Sequence, residues 1–329
     1  MIRIFAFLFA VLVSGHSANA ACRGTDLRDH LPPSEKAWLA QQMAATPYSV
    51  GNHWVARKGS QTLHIIGTMH NGDSRMARVM RRLRPIIAQA DAVYFEVTRT
   101  EMGKVKDQIQ QRPEAFLLPP GRRLQQLMSP QGWEQFELFA AMSNADMETI
   151  QKMQPWALSL FLIPGGCRPF GFGLKRGLDD RIERYAARKG IPIGGLETAG
   201  TGFSALARMP LRDQVRMLEN EVAFVLSDAP ENATAVEAYF DESVWQAFLL
   251  EPRLAGQFID VSTKELTRLD RAFYSNMLGW RNKLWMKTIR QIKGERVVIA
   301  VGAAHLPGND GVMNLLKRQG YSLERAAFQ

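Results

Sequence analysis

Leu63-His64-Ile65-Ile66-Gly67-Thr68-Met69-His70 reads as a short buried strand that stops at a glycine and delivers a histidine just beyond its end. The same form returns near the other end of the chain, in Val297-Val298-Ile299-Ala300-Val301-Gly302-Ala303-Ala304-His305. Each is an apolar run, then Gly-x-x-His, then a polar turn. In open α/β sheets, ligands sit beyond the carboxyl ends of the strands. Two histidines delivered in this way from distant parts of one chain are placed to share a site. A lone Gly-x-x-His arises by chance, so the repetition in matching strand context carries the weight.

Outward from the first motif, residues 52–55 and 62–66 predict a hairpin around Lys58-Gly59-Ser60. After His70, the turn Asn71-Gly72-Asp73-Ser74 leads into a helix with Met76, Val79, Met80, Leu83, Ile86 and Ile87 on its buried face. Ala92-Val93-Tyr94-Phe95-Glu96-Val97 follows as a second apolar strand, which makes a parallel strand–helix–strand unit. Its notable residue is Glu96, since a carboxylate near the end of an apolar strand is costly unless paired or bound to a cation. Residues 101–176 read as a large helical insertion, in a position to form a lid over the sheet. Gly177-Leu178-Asp179-Asp180 opens the next helix, and 191–198 is another strand that ends in a glutamate, Glu197. Helices are expected over 26–45, with a restart at Pro32-Pro33 capped by Ser34, and over 210–226, 234–248, 272–292 and 312–319, with a last strand over 320–325. The long helix at 272–292 has two adjacent apolar stripes, one of which carries Trp285, and so reads as mostly buried. The fold class is α/β, with a central mostly parallel sheet, flanking helices and a large helical insertion. Residues 21–329 are expected to form a single domain.

The N-terminus reads as a targeting segment: Arg3, a short apolar run over 4–13, and Ala18-Asn19-Ala20 as a cleavage site after Ala20. Residues 1–20 are therefore expected to be a bacterial signal peptide, and the mature chain to be periplasmic or secreted. No later stretch reaches the ~20 apolar residues of a membrane span, so no stable transmembrane anchor is expected once the signal is cleaved. The two cysteines, Cys22 and Cys167, are expected to pair as a disulfide in an oxidising compartment. The net charge of +9 comes from scattered basic residues with no dense cluster interleaved with aromatics. That pattern, with the address, argues against nucleic acid as a partner.

The chemistry-bearing candidates are His70, Glu96, Glu197 and His305, all at strand ends. Imidazole and carboxylate together suit a divalent metal such as manganese, cobalt or zinc. Such an ion with an open position activates water and polarises a carbonyl, and Glu96 is a metal ligand or a general base. Each residue also has a plainer reading. His70 caps the following helix, His305 bonds a loop backbone, and Glu96 and Glu197 pair with Arg281 or another buried arginine. His64 points away from its strand neighbours and is read as structural. There is no His-Glu-x-x-His helix and no Gly-x-Ser-x-Gly elbow in the sequence.

Several of these stretches resemble the TraB/PrgY/GumN family, which includes the Tiki proteases. They are Gly67-Thr68-Met69-His70, Phe95-Glu96, Pro155-Trp156-Ala157-Leu158, Gly177-Leu178-Asp179, Gly195-Leu196-Glu197-Thr198, Arg281-Asn282 and the run from Val301 to Gly311. The resemblance implies a fold related to the erythromycin-esterase-like and haem-binding ChaN proteins. It also implies metal-dependent cleavage of a peptide or protein substrate, with His70, His305 and Glu96 carried over as the motif residues and Arg281 and Asn282 lining the same site, where Arg281 would stabilise a developing oxyanion. The second motif reads Gly-Ala-Ala-His where the family has Gly-Ala-Gly-His, so Ala304 adds bulk near the site. The competing expectation is a binding protein without turnover, for haem, a metal or a polysaccharide precursor.

Overall fold

The computed structural model describes residues 24–161, 177–230 and 233–329. The expected signal segment, Cys22, Cys167 and part of the expected insertion lie outside the described residues. Six strands form one sheet: β1 (His53–Lys58), β2 (Gln61–Thr68), β3 (Ala92–Phe95), β4 (Ile193–Gly195), β5 (Arg296–Gly302) and β6 (Ser322–Arg325), in the order β4-β3-β5-β2-β1-β6. The pairs β2–β5, β5–β3 and β3–β4 are parallel, while β1 runs antiparallel to both β2 and β6. The β1–β2 hairpin turns at Gly59-Ser60, where Gly59 takes a left-handed φ of 57°.

The strands alternate between two cores, as a sheet covered on both faces requires. Val298 and Ala300 of β5 join Ile66 and Val93 against the helices Met76–Ala88 and Leu178–Arg188. Val297, Ile299 and Val301 face the other way, onto Trp285, Met286 and Ile289 of the helix Arg281–Ile289 and onto Val312, Met313 and Leu316. A third core joins helices Pro130–Met142, Pro155–Phe161 and Leu211–Leu226 with Met277. The mostly parallel α/β sheet flanked by helices is as the sequence predicts. No described helix is long and apolar enough to cross a membrane.

Three expected helices differ. The one expected over 26–45 is helical only from the expected restart, Pro33–Ala45, with Pro32 and not Ser34 at its N-cap. The stretch 234–248 is two helices, Thr234–Phe240 and Trp245–Ala255, parted where Glu242 adopts a φ of 55°. The long helix at 272–292 is an α-helix Thr263–Tyr274, a π-helical turn Ser275–Trp280 and a second α-helix Arg281–Ile289. The π turn accounts for the two apolar stripes, because its wider winding rotates one stripe against the next. Met277 serves the helical core, Leu278 one sheet face, and Trp285 and Ile289 the other.

Candidate functional site

The parallel register decides where the site forms. Thr68 pairs with Gly302 and Phe95 with both Ala300 and Gly195, so β2, β3, β4 and β5 end side by side. His70, Glu96, Glu197 and His305 follow those four ends, and the helix that carries Arg281 packs across them. Gly302 ends β5 and hands over to a short 3-10 turn, Ala303–His305, which swings His305 inward. The methyl group of Ala304 packs into the core on one sheet face.

Arg281 is the hub. It is buried, and its five N–H protons all find acceptors. Nη2 donates to Glu96 Oε2 at 2.6 Å and to Glu197 Oε1 at 2.5 Å, and Nε donates to the same Glu197 oxygen at 2.9 Å. Nη1 donates to Met277 O at 3.1 Å, inside the π turn, and lies 3.3 Å from His305 Nε2. The remaining carboxylate oxygens are also taken. Gly302 N–H donates to Glu96 Oε1 at 2.6 Å, and the Trp285 indole N–H donates to Glu197 Oε2 at 2.7 Å. Breaking a buried ion pair of this kind costs about 3–5 kcal/mol, because the charge left behind has lost its partner.

The two motif histidines sit in opposite settings. His305 keeps only 4 % of its side chain exposed. Its Nδ1–H donates to Asn282 Oδ1 at 2.6 Å, and Asn282 is itself oriented by donating to His305 O and Asp310 O. That leaves Nε2 as the acceptor facing Arg281, with the Trp285 ring packed 4.4 Å from the imidazole. Burial lowers the His305 pKa to about 3 against the pull of Glu96, with the Arg281 and His70 charges acting in the same direction as burial, so the ring is neutral.

His70 keeps 39 % of its side chain exposed, and its Nδ1 bonds Asp179 Oδ2 at 3.1 Å. Desolvation works against its charged form. The Asp179 carboxylate, by charge and hydrogen bond, and then Glu96 outweigh it and lift the pKa to about 9. His70 is therefore an imidazolium at neutral pH, held at Nδ1 with its Nε2–H as the second proton. Desolvation alone would raise Glu96, yet His305, Arg281, His70 and the Gly302 N–H together hold it well below the usual carboxylate range. Burial dominates at Glu197, and with the Glu96 charge it lifts this carboxyl above its ordinary value against the pull of Arg281 and Trp285.

All of His70, Glu96, Glu197, Arg281, Asn282 and His305 thus gather at one sheet edge. The plainer reading of the two glutamates, pairing with Arg281, describes their contacts. Asp179 and Trp285 are the members that residue reasoning left without a role. Asp179 stands in the quoted Gly-Leu-Asp stretch, and Trp285 lies four residues after Arg281, on the same helical face. The donor set does not fit a divalent ion as arranged, because a guanidinium stands where Glu96, Glu197 and His305 converge. No three His, Cys, Asp or Glu among the described residues are grouped to hold one.

Residues 52–325 match the TraB/PrgY/gumN family. The chain belongs to this family. Among its relatives, the uncharacterized protein YbaP of Escherichia coli (strain K12) is 21 % identical over 273 residues, which cover 81 % of this chain and 94 % of YbaP. The YbaP protein of Shigella flexneri matches with the same identity and coverage. All the residues of the strand-end network fall inside the family match.

Proposed function

We propose that this chain is a hydrolase of peptide or related acyl bonds, acting at the strand-end network in the periplasm or outside the cell. The observation that supports this most is His70: a partly exposed imidazolium, oriented by its own carboxylate, beside a buried and fully bonded Arg–Glu–Glu–His cluster. Held at Nδ1 by Asp179, His70 presents Nε2–H to a substrate. There it bonds the carbonyl oxygen as water adds to the carbonyl carbon and gives up a proton to solvent, and as general acid it protonates the amine as the C–N bond breaks. The ordered network behind His70 fixes the field at the reacting carbonyl without reorganising.

The Tiki likeness adds metal dependence through His70, His305 and Glu96, and the donor chemistry adds Glu197 as a fourth candidate ligand for manganese, cobalt or zinc. Given the poor fit of those donors, the proposed steps use none of these ions. The test is a peptide-library and acyl-ester screen on the purified chain, run with chelator and with each ion, alongside His70→Gln. Cleavage that falls about 100-fold or more in a folded His70→Gln protein is expected. No turnover of any library in any condition would overturn the reading.

A further inference from the structure

We propose that the strand-end centre is built around a resident organic cation, the Arg281 guanidinium taking the place that a divalent ion would otherwise occupy. Glu96 Oε2, Glu197 Oε1 and His305 Nε2 come from the ends of three different strands and all converge on it. Two carboxylate oxygens and an imidazole nitrogen of the metal-binding tautomer are the donors zinc, cobalt or manganese would use. Each is held by a second contact, as the outer shell of a metal site holds its ligands: Glu96 by Gly302 N–H, Glu197 by Trp285, His305 by Asn282. Here that outer shell aims three acceptors at a planar ion whose five protons are all spoken for. An incoming metal would have to expel a buried, fully bonded guanidinium.

Two consequences follow. The native protein takes up no stoichiometric manganese, cobalt or zinc at this centre. Arg281→Met, which keeps an unbranched apolar stem and removes the guanidinium, frees the three donors, now spread over Nη1 and Nη2, to close around a divalent ion. The test is isothermal titration with each metal chloride on the chelator-stripped full chain, with metal content measured after dialysis, for the native protein, Arg281→Met, Arg281→Lys and Arg281→Met/Glu96→Gln. Expected are no stoichiometric binding by the native protein or Arg281→Lys, and one ion per chain in Arg281→Met. Its affinity should fall about 10–100-fold when Glu96→Gln is added. Should Arg281→Met fail to fold, it is refolded with each ion. Recovery of the native circular dichroism supports the proposal, and no recovery with any of the three overturns it. One native-state ion lost in His305→Ala overturns it, as does a folded Arg281→Met that binds nothing. Hydrolysis is read in none of these arms, so the result stands apart from the proposed activity.

Discussion

Trp285→Phe isolates one hydrogen bond of the buried network. The Trp285 side chain is fully buried, its ring lies against His305, and its indole N–H donates to Glu197 Oε2. Phenylalanine keeps an aromatic ring in the same place and removes that donor. A hydrogen bond to a charged group contributes about 1.5–3 kcal/mol, and the smaller ring adds roughly 1 kcal/mol of lost packing. The variant should therefore be less stable at pH 7 by about 2–4 kcal/mol. The pH dependence separates the two parts. The N–H stabilises ionised Glu197, so its loss raises this carboxyl further above its ordinary value than burial already does. As pH falls through the variant's raised pKa and then the native one, Glu197 protonates and the donor ceases to matter. The gap should then shrink toward the packing part of roughly 1 kcal/mol. Urea unfolding of both proteins at pH 7 and pH 4.5, with m-values unchanged, measures it. An equal gap at both pH values would refute the reasoning and reduce Trp285 to a packing residue.

The His70–Asp179 pair gives a titration of opposite sign. The folded pKa of His70, about 9, stands above its ordinary 6.5, so the stability it contributes is complete below pH 6.5 and lost as pH rises through 9. Because His70 is partly exposed, that contribution is no more than about 1 kcal/mol after solvent screening. Asp179→Asn should bring the pKa back toward 6.5, which an NMR titration of the His70 ring reads directly. Gly177→Ala should do the same by sterics. A Cβ there would stand 2.4 Å from Met69 O, 2.5 Å from His70 O and 2.6 Å from Asp179 Oδ1, so the helix start must move and carry Asp179 off His70. An unchanged His70 titration in that variant would count against the arrangement. Across β1 and β2, His53 Nδ1–H donates to Ala327 O at 2.9 Å and its Nε2 lies 3.1 Å from His64 Nδ1. Burial lowers both, His64 to about 4, so the stability from this pair is present above pH 6.5 and fades as pH falls toward 4. Amide exchange at Ala326–Gln329 should accelerate over that range in the native protein and not in His53→Phe.

Much of the architecture was legible because it rests on local signals. Period-two burial, Gly59 in the hairpin turn and the apolar face from Met76 to Ile87 are written in consecutive residues. The gathering of four strand ends was legible as well, since strand direction follows from a parallel unit. Asp179 and Trp285 were less visible because their roles depend on approach angles set by other elements. The π turn before Arg281 has no composition cue in Ser275-Asn276-Met277-Leu278-Gly279-Trp280; it shows only as an apolar surface too wide for a straight helix. That same turn brings Met277 O to the guanidinium, so the feature hardest to read lies next to the residue on which the site turns.

The two Gly-x-x-His motifs carry the sharper lesson. They are alike in sequence and in strand context, and their symmetry invites a shared role. In the folded chain one imidazole is charged and open and the other is neutral and closed, with pKa values of about 9 and about 3. The backbone that delivers them is not what divides them. Across Nδ1, His70 meets a carboxylate, Asp179, and His305 meets an amide, Asn282. Across the other face, His305 meets the guanidinium of Arg281, which penalises a second positive charge. A repeated motif therefore fixes where two side chains arrive, while the partners waiting there fix their protonation. In this chain that division of labour leaves one histidine open to solvent and binds the other into the wall behind it.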